Sequence, residues 1–358
     1  MENINKISII TNNALISMKR KPTIRDVAKK AGLSLSTISL VLNNKGYVSD
    51  VNKQKILSII KGLDYHPQRS ARGLASQTSG NIGFILTEDH FSQSEPFYTR
   101  IFLGTEFEAR KHNYYILLTT VGKNIKETSE IPRFLLEHNV DGVIIAGKIG
   151  SSWIEYIKNK HIPILLVDYV SPRVSNITID NKTGAELVVQ HFLNGGHKKI
   201  GFIGGDIRHP SIHERFTGYQ NVLLTAGITP SEQWYHIGQS NTTQSNGYEA
   251  AKKIFSGNDN KPTAIFAAND AMAIGCIQYL KENGFMIPKD IAIAGFDNIE
   301  AGLHVEPRLT TVNVHCEEMG SLAVRRIAEM VKEKSGVVTK TITPVELVVR
   351  DSCGIRLD

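Results

Sequence analysis

Five polar residues stand where a small molecule can be gripped: Asp168, Arg215, Asn269, Asp270 and Asp297. Each falls at or just past the end of a predicted strand, or at the start of a predicted helix. Carboxylates, a guanidinium and an amide form the paired hydrogen bonds that polyol ligands require, and an aromatic face takes the apolar side of a sugar ring. For any single carboxylate, Asp270 above all, the competing role is to cap the following helix. Convergence of all five on one cleft favours a binding site. A second group, Ser36, Ser39, Leu40 and Asn43, is turned outward from a predicted helix over 34–43. No nucleophile and base pair up, and His197, His209 and His213 lack metal-ligand spacing. Cys276, Cys316 and Cys353 are too few and scattered for a disulfide framework or a zinc site. The run GVIIAGK (142–148) nearly spells a phosphate loop, but Ile149 stands where Ser or Thr must reach the metal, and VIIA reads as strand. No catalytic residue, metal or cofactor is therefore expected.

The outward-facing group belongs to the stretch TIRDVAKKAGLSLSTISLVLN, Thr23 to Asn43. Ile24, Val27, Ala28 and Ala31 repeat at the spacing of a buried helical stripe. Gly32 permits a sharp turn, Ser34 is placed to cap a second helix, and Ile38, Val41 and Leu42 form that helix's inner face. Two short helices joined by a tight turn make a helix-turn-helix unit. A third stripe, Ile56, Ile59, Ile60 and Leu63, closes a three-helix core. Pattern alone leaves a purely structural bundle open, and charge decides against it. Residues 1–80 carry 13 Lys and Arg against 4 Asp and Glu, a balance of +9. Residues 81–358 carry 28 against 31, a balance of −3. A basic head on a slightly acidic body implies a polyanionic partner at the head alone.

The remainder alternates apolar strands with helical stretches. Strands are predicted at 81–86, 114–120, 141–146 and 163–168, and again at 200–204, 234–238, 263–267 and 291–296. Continuous apolar runs separated by helices imply parallel strands covered on both faces. Two similar series of four imply two doubly wound lobes, with the ligand cleft beyond the strand ends between them. A strand-like PVELVV (344–349) closes the chain, and no leucine heptad follows it, which favours a dimer over a coiled-coil tetramer.

In the head, the stretch from Thr23 together with GYVS (46–49), LDYHP (63–67) and ARGLAS (71–76) resembles the DNA-binding head of the lactose repressor family. In the body, the runs 184–205, 213–219, 267–275, 294–298 and 309–312 match motifs of the same family. The resemblance implies a small all-α helix-turn-helix head plus hinge, followed by an α/β effector domain of two doubly wound parallel-sheet lobes of periplasmic-binding-protein type. It divides the chain into a disordered extension (1–22), a helix-turn-helix domain (23–66), a hinge helix and linker (67–79) and an effector and dimerisation domain (80–358). One lobe is expected at 80–179 and 299–310, the other at 180–298 and 311–358, with crossings near Asp180, Asn298 and Thr310. Around Met18–Lys21 the extension is either a basic arm or residues upstream of the true start, the second being favoured.

By the same resemblance Leu35, Ser36 and Leu40 read bases and Thr37 leans on the backbone. Thr23, Ser34, Ser39, Asn43 and Tyr47 complete the expected interface, with Lys29, Lys30, Lys53 and Lys55 as phosphate contacts. Leu40 departs from the family, where arginine is frequent; leucine meets a thymine methyl but donates no hydrogen bond. Arg72 and Leu74 sit in hinge spacing, Leu74 as a wedge for the minor groove. Leu74→Ala is accordingly expected to lower operator affinity far more than affinity for random DNA. Phe97 or Tyr98 matches the aromatic wall of the pocket, and the five polar positions match its ligand contacts. The function implied is that of a cytoplasmic, homodimeric repressor reading an inverted-repeat DNA operator under control of a small-molecule effector. A sugar is favoured over a nucleobase, and nothing suggests a membrane segment. The rivals are a sugar- or nucleotide-modifying enzyme on a doubly wound fold and a binding module whose head is a protein-interaction bundle.

Overall fold

A computed structural model describes residues 20, 22–42, 46–65, 78–88, 96–238, 241–256, 260–333 and 336–354. It divides into two compact units, Met1–Thr78 and Ser79–Asp358.

The first unit holds α1 (Ile24–Ala31), α2 (Leu35–Leu42) and α3 (Asp50–Gly62). At the start of α1 the Asp26 carboxylate accepts from both the backbone N and the hydroxyl of Thr23, each at 2.7 Å. The helix ends at Gly32, whose φ of +65° is the left-handed conformation that spares a Cβ penalty. Ser34 caps α2 by accepting from the Thr37 N at 3.1 Å. Val27, Ala28, Ala31, Ile38, Val41 and Ile56 are buried together, with Tyr65 closing the core from beyond α3. Ile38 and Ile56 are fully buried. Each such side chain contributes about 2 kcal/mol of apolar burial.

The second unit runs through β1 (Asn81–Thr87), α4 (Phe97–Lys111), β2 (Tyr115–Val121), α5 (Arg133–Leu136), β3 (Gly142–Ala146), α6 (Ser151–Asn159), β4 (Ile164–Val167) and β5 (Ser175–Ile179). It continues through α7 (Asn181–Asn194), β6 (Ile200–Ile203), α8 (Pro210–Thr225), β7 (Tyr235–His236), α9 (Gln244–Phe255), β8 (Ala264–Ala267), α10 (Asp270–Glu282) and β9 (Ala292–Ala294). It ends with α11 (Ala301–His304), β10 (Thr311–Val314), α12 (Cys316–Glu333), β11 (Lys340–Thr343) and β12 (Val345–Val348). The strands form two sheets that are parallel throughout, ordered β11-β5-β4-β3-β1-β2 and β7-β6-β8-β9, beside an antiparallel β10-β12 pair. Strand order reverses between β1 and β3 in the first sheet and between β6 and β8 in the second. Those are the points where helices leave opposite faces and open a crevice beyond the strand ends.

The lobe boundaries differ from the sequence-based ones. Residues 299–310 belong to the second lobe: Thr310 bridges Ala294 at the edge of its sheet, and Leu309 is buried in its core. Conversely, α12 packs against α4, β3 and β4 of the first lobe, and β11 pairs with β5. The chain therefore crosses at 179–181, at 314–316 and at 343–345. Strand pairing decides these assignments, and pairing between distant segments leaves no local mark in the sequence. Among the described residues no helix is long and apolar enough to cross a membrane.

Candidate functional site

Between the lobes of the second unit lies a cavity of about 380 Å³ whose walls come from the carboxyl ends of strands in both sheets. Phe97, Tyr98, Asp168, Arg215, Asn269 and Asp297 all line it. Asp168 follows β4 at a φ of +57°, and its carboxylate accepts from the Tyr98 hydroxyl at 2.9 Å. Burial and the neighbouring Asp168 charge hold the Tyr98 phenol well above its ordinary pKa, so it remains a donor. Phe97 meets Tyr98 edge to face at 5.0 Å.

From the second lobe, α8 delivers Arg215. Its Nε donates to Asn181 Oδ1 at 2.8 Å, another nitrogen donates to the Ala268 carbonyl, and the guanidinium lies 3.6 Å over the Phe296 ring. Its remaining nitrogen faces Asp297 Oδ1 at 3.4 Å, both side chains being nearly buried. Asp297 holds a φ of +105° and Asn298 one of +53°. Such backbone costs about 1 to 3 kcal/mol per residue and survives only when its surroundings fix it. Asp297 N donates to the Val312 carbonyl at 2.9 Å, Asn298 N to Thr311 Oγ1 at 3.2 Å and Ile299 N to Asp270 Oδ2 at 2.8 Å.

Asp270 is thus separated from the other sequence-predicted ligand contacts. It lies fully buried behind the cavity, where Thr311 Oγ1 donates to its Oδ1 at 2.5 Å. Burial pushes its pKa up to about 7, against the pull of those hydrogen bonds. It fastens the turn that carries Asp297, which makes it a positioning residue. Nor does it cap α10: Asn269 does, accepting from Met272 N at 2.9 Å while donating to the Thr242 carbonyl at 2.9 Å.

Sequence reading missed more than half of the wall. Thr87 ends β1, Lys123 follows β2, Lys148 follows β3, Asp206 follows β6, and Asn241 to Thr243 precede α9. The signal was available, since a search of every loop after a strand end, rather than of motif residues, reaches each of them. His209 and Ser211 line the same wall, their Nδ1 and Oγ 2.7 Å apart. Burial, with Arg215 and Lys148 nearby, holds the His209 pKa down at about 4, so the imidazole is neutral at pH 7. Asp206, gripped by Arg208, is held at about 2 and stays ionised.

In the head, Leu35, Leu40 and Tyr47 are exposed apolar or aromatic side chains, Tyr47 at 94 %. Leu40 rests beside Gly46, where an added Cβ would stand 3.2 Å from its Cδ2. Ser34 Oγ lies 2.7 Å from Ser36 Oγ and 2.9 Å from Thr37 Oγ1, and Ser39 is half-buried on α2. Thr23 spends its hydroxyl proton on Asp26. Lys29, Lys30, Lys53 and Lys55 are exposed. Asn43, Arg72 and Leu74 lie outside the described residues.

Residues 23–68 match the model described as bacterial regulatory proteins, lacI family, and residues 189–353 match a periplasmic binding protein-like domain. Over 334 residues the chain is 30% identical to the HTH-type transcriptional repressor PurR of Photobacterium profundum, across 92% of this chain and 98% of that protein. It is 31% identical over 317 residues to catabolite control protein A of Priestia megaterium, across 87% and 93% respectively. Among solved structures, the Lac repressor dimer bound to operator and the anti-inducer ONPF superposes with a TM-score of 0.79 at 25% identity, over 93% of this chain and 99% of that one. The transcriptional regulator CelR in complex with cellobiose superposes with a TM-score of 0.70 at 26% identity, over 92% and 99%.

Proposed function

The chain belongs to the lacI family of DNA-binding transcriptional repressors, and from that premise we propose that a carbohydrate held between its two lobes sets its affinity for operator DNA. The observation that carries this reading is the convergence of Asp168 from one lobe with Arg215 and Asp297 from the other on a single cavity walled by Phe97 and Tyr98. Carboxylates and a guanidinium give paired hydrogen bonds to vicinal hydroxyls, and the ring wall takes the apolar face. That CelR is solved with cellobiose in a similar fold supports the same class of ligand.

A ligand touching both lobes acts on their closure. Arg215 is tied to Asn181, which opens α7 at the first crossing, and Asp297 hangs on β10, which leads into the second. The head then reads an inverted repeat as one of a pair, because a two-fold dimer presents α2 twice. Support for the homodimer is an apolar face on adjacent elements of the first lobe, with Leu103 and Phe107 exposed on α4 and Tyr115 and Leu118 on β2. A nucleobase is the second reading, since the same carboxylates and amide can pair with its ring edge. Reaction turnover on a sugar or nucleotide would instead revive an enzyme.

Calorimetry of the full-length protein against sugars and nucleobases distinguishes these. We expect a carbohydrate to bind, and Asp297→Asn to weaken it by about tenfold or more, roughly 1.4 kcal/mol. Binding of a nucleobase with no response to any sugar would replace the first reading with the second.

A further inference from the structure

Two lysines of the first lobe, Lys123 after β2 and Lys148 after β3, line the cavity, and the carbohydrate reading makes no use of either. Their loops meet backbone to backbone. Gly150 N donates to the Lys123 carbonyl at 2.9 Å. A Cβ at residue 150 would stand 2.5 Å from that oxygen and 1.9 Å from Asn124 Oδ1, so any side chain there forces the loops apart. Glycine at 150 thereby keeps both lysines on one stretch of wall.

The carboxylates on the wall take their hydrogen bonds from other groups. Asp297 faces Arg215, and Asp168 accepts from Tyr98. Asp206 accepts from Arg208 Nε at 2.8 Å and from its backbone N at 3.0 Å. Both bonds end on Oδ1; Lys148 Nζ stands 4.0 Å from Oδ2, an ion pair longer than a hydrogen bond, with its side chain 29% exposed. A cation partly withdrawn from water, whose anionic neighbour stands beyond hydrogen-bond reach, gains from a new anion that meets it by charge-assisted hydrogen bonds.

Resting on the carbohydrate reading of this cleft, we infer that the ligand is an acidic sugar, its phosphate or carboxylate taken by Lys123 and Lys148 while Asp168, Arg215 and Asp297 read its hydroxyls. The cavity is large enough for a ring and one substituent, and its lining divides by chemistry in the same way. Lys148 is also the last residue of the GVIIAGK run, and its presence on the wall needs no nucleotide.

The test is calorimetry on the full-length protein with matched pairs: hexoses and disaccharides against their 6-phosphates, and hexoses against their uronates. Inorganic phosphate and free nucleobases serve as further probes. We expect an acidic member to bind at least tenfold more tightly than its neutral parent, with the ratio shrinking as salt is raised. The pair that shows the effect separates phosphate from carboxylate. In the Lys123→Gln, Lys148→Gln double variant the ratio should collapse toward one, and in the corresponding double arginine variant it should persist. Both affinities are read on the same protein, so a folding defect cannot mimic a collapsed ratio. A neutral sugar that binds as tightly as its acidic counterpart overturns this inference and leaves the carbohydrate reading standing. Binding of nucleobases alone, of inorganic phosphate alone, or of nothing offered overturns both.

Discussion

Asp270 carries a carboxyl group that no solvent reaches, held by the Thr311 hydroxyl and the Ile299 amide. Its pKa, pushed up to about 7, lies above the ordinary 3.8 that it regains on unfolding. A raised carboxyl favours the folded state when protonated, so its contribution is fully present below about pH 4 and is lost as pH rises through about 7. The size is on the order of a few kcal/mol. Urea midpoints measured from pH 4 to 8 should fall more steeply for the wild type than for Asp270→Asn over that window. Parallel curves would remove Asp270 as the titrating group. At this scale the sequence was informative to within one residue. The run AAND marks a strand end passing into a helix, but which of Asn269 and Asp270 caps and which turns inward depends on one step of backbone. Only the packing of β10 behind them decides it.

Strands were legible where apolar residues run together and silent where polar residues fill the strand, buried or not. IGFIL, GVIIA and ILLV are continuous apolar runs and announce β1, β3 and β4. β5 reads SNITI and β11 reads KTIT, and neither presents an apolar run. In β5 the buried Ser175 and Asn176 are satisfied by partners close by, Ser175 Oγ accepting from Thr339 N at 3.1 Å and Asn176 Nδ2 donating to the Val174 carbonyl at 3.2 Å. Missing both strands hid the return of the chain to the first lobe, which is why the second and third crossings were displaced. The exposed apolar face of α4 and β2 makes a prediction of its own. A two-fold interface uses the same patch on both subunits, so each substitution counts twice. Phe107→Glu is expected to weaken the dimer by well over tenfold in sedimentation velocity at about micromolar protein. An unchanged mass would place the interface on another face.

For the whole molecule, the head, the two lobes and the basic-to-acidic division of charge were all visible in the sequence, because each is written in local periodicity or composition. What no local pattern contains is the joint between cleft and crossings: Arg215 on Asn181, Asp297 on Val312 and Asp270 on Ile299. On the proposed function, these contacts are where a bound ligand acts on lobe closure. Coupling of this kind is reciprocal, with a factor of about 5 to 150 in affinity for coupling free energies of about 1 to 3 kcal/mol. The decisive measurement takes an operator selected from a random DNA pool and the ligand found by calorimetry. Operator affinity is titrated with and without ligand, and ligand affinity with and without operator, at one fixed salt concentration. The expected result is a change of at least fivefold in operator affinity, matched within error by the change in ligand affinity. A ligand that binds the cleft yet leaves operator affinity unaltered would contradict control of DNA binding from this site.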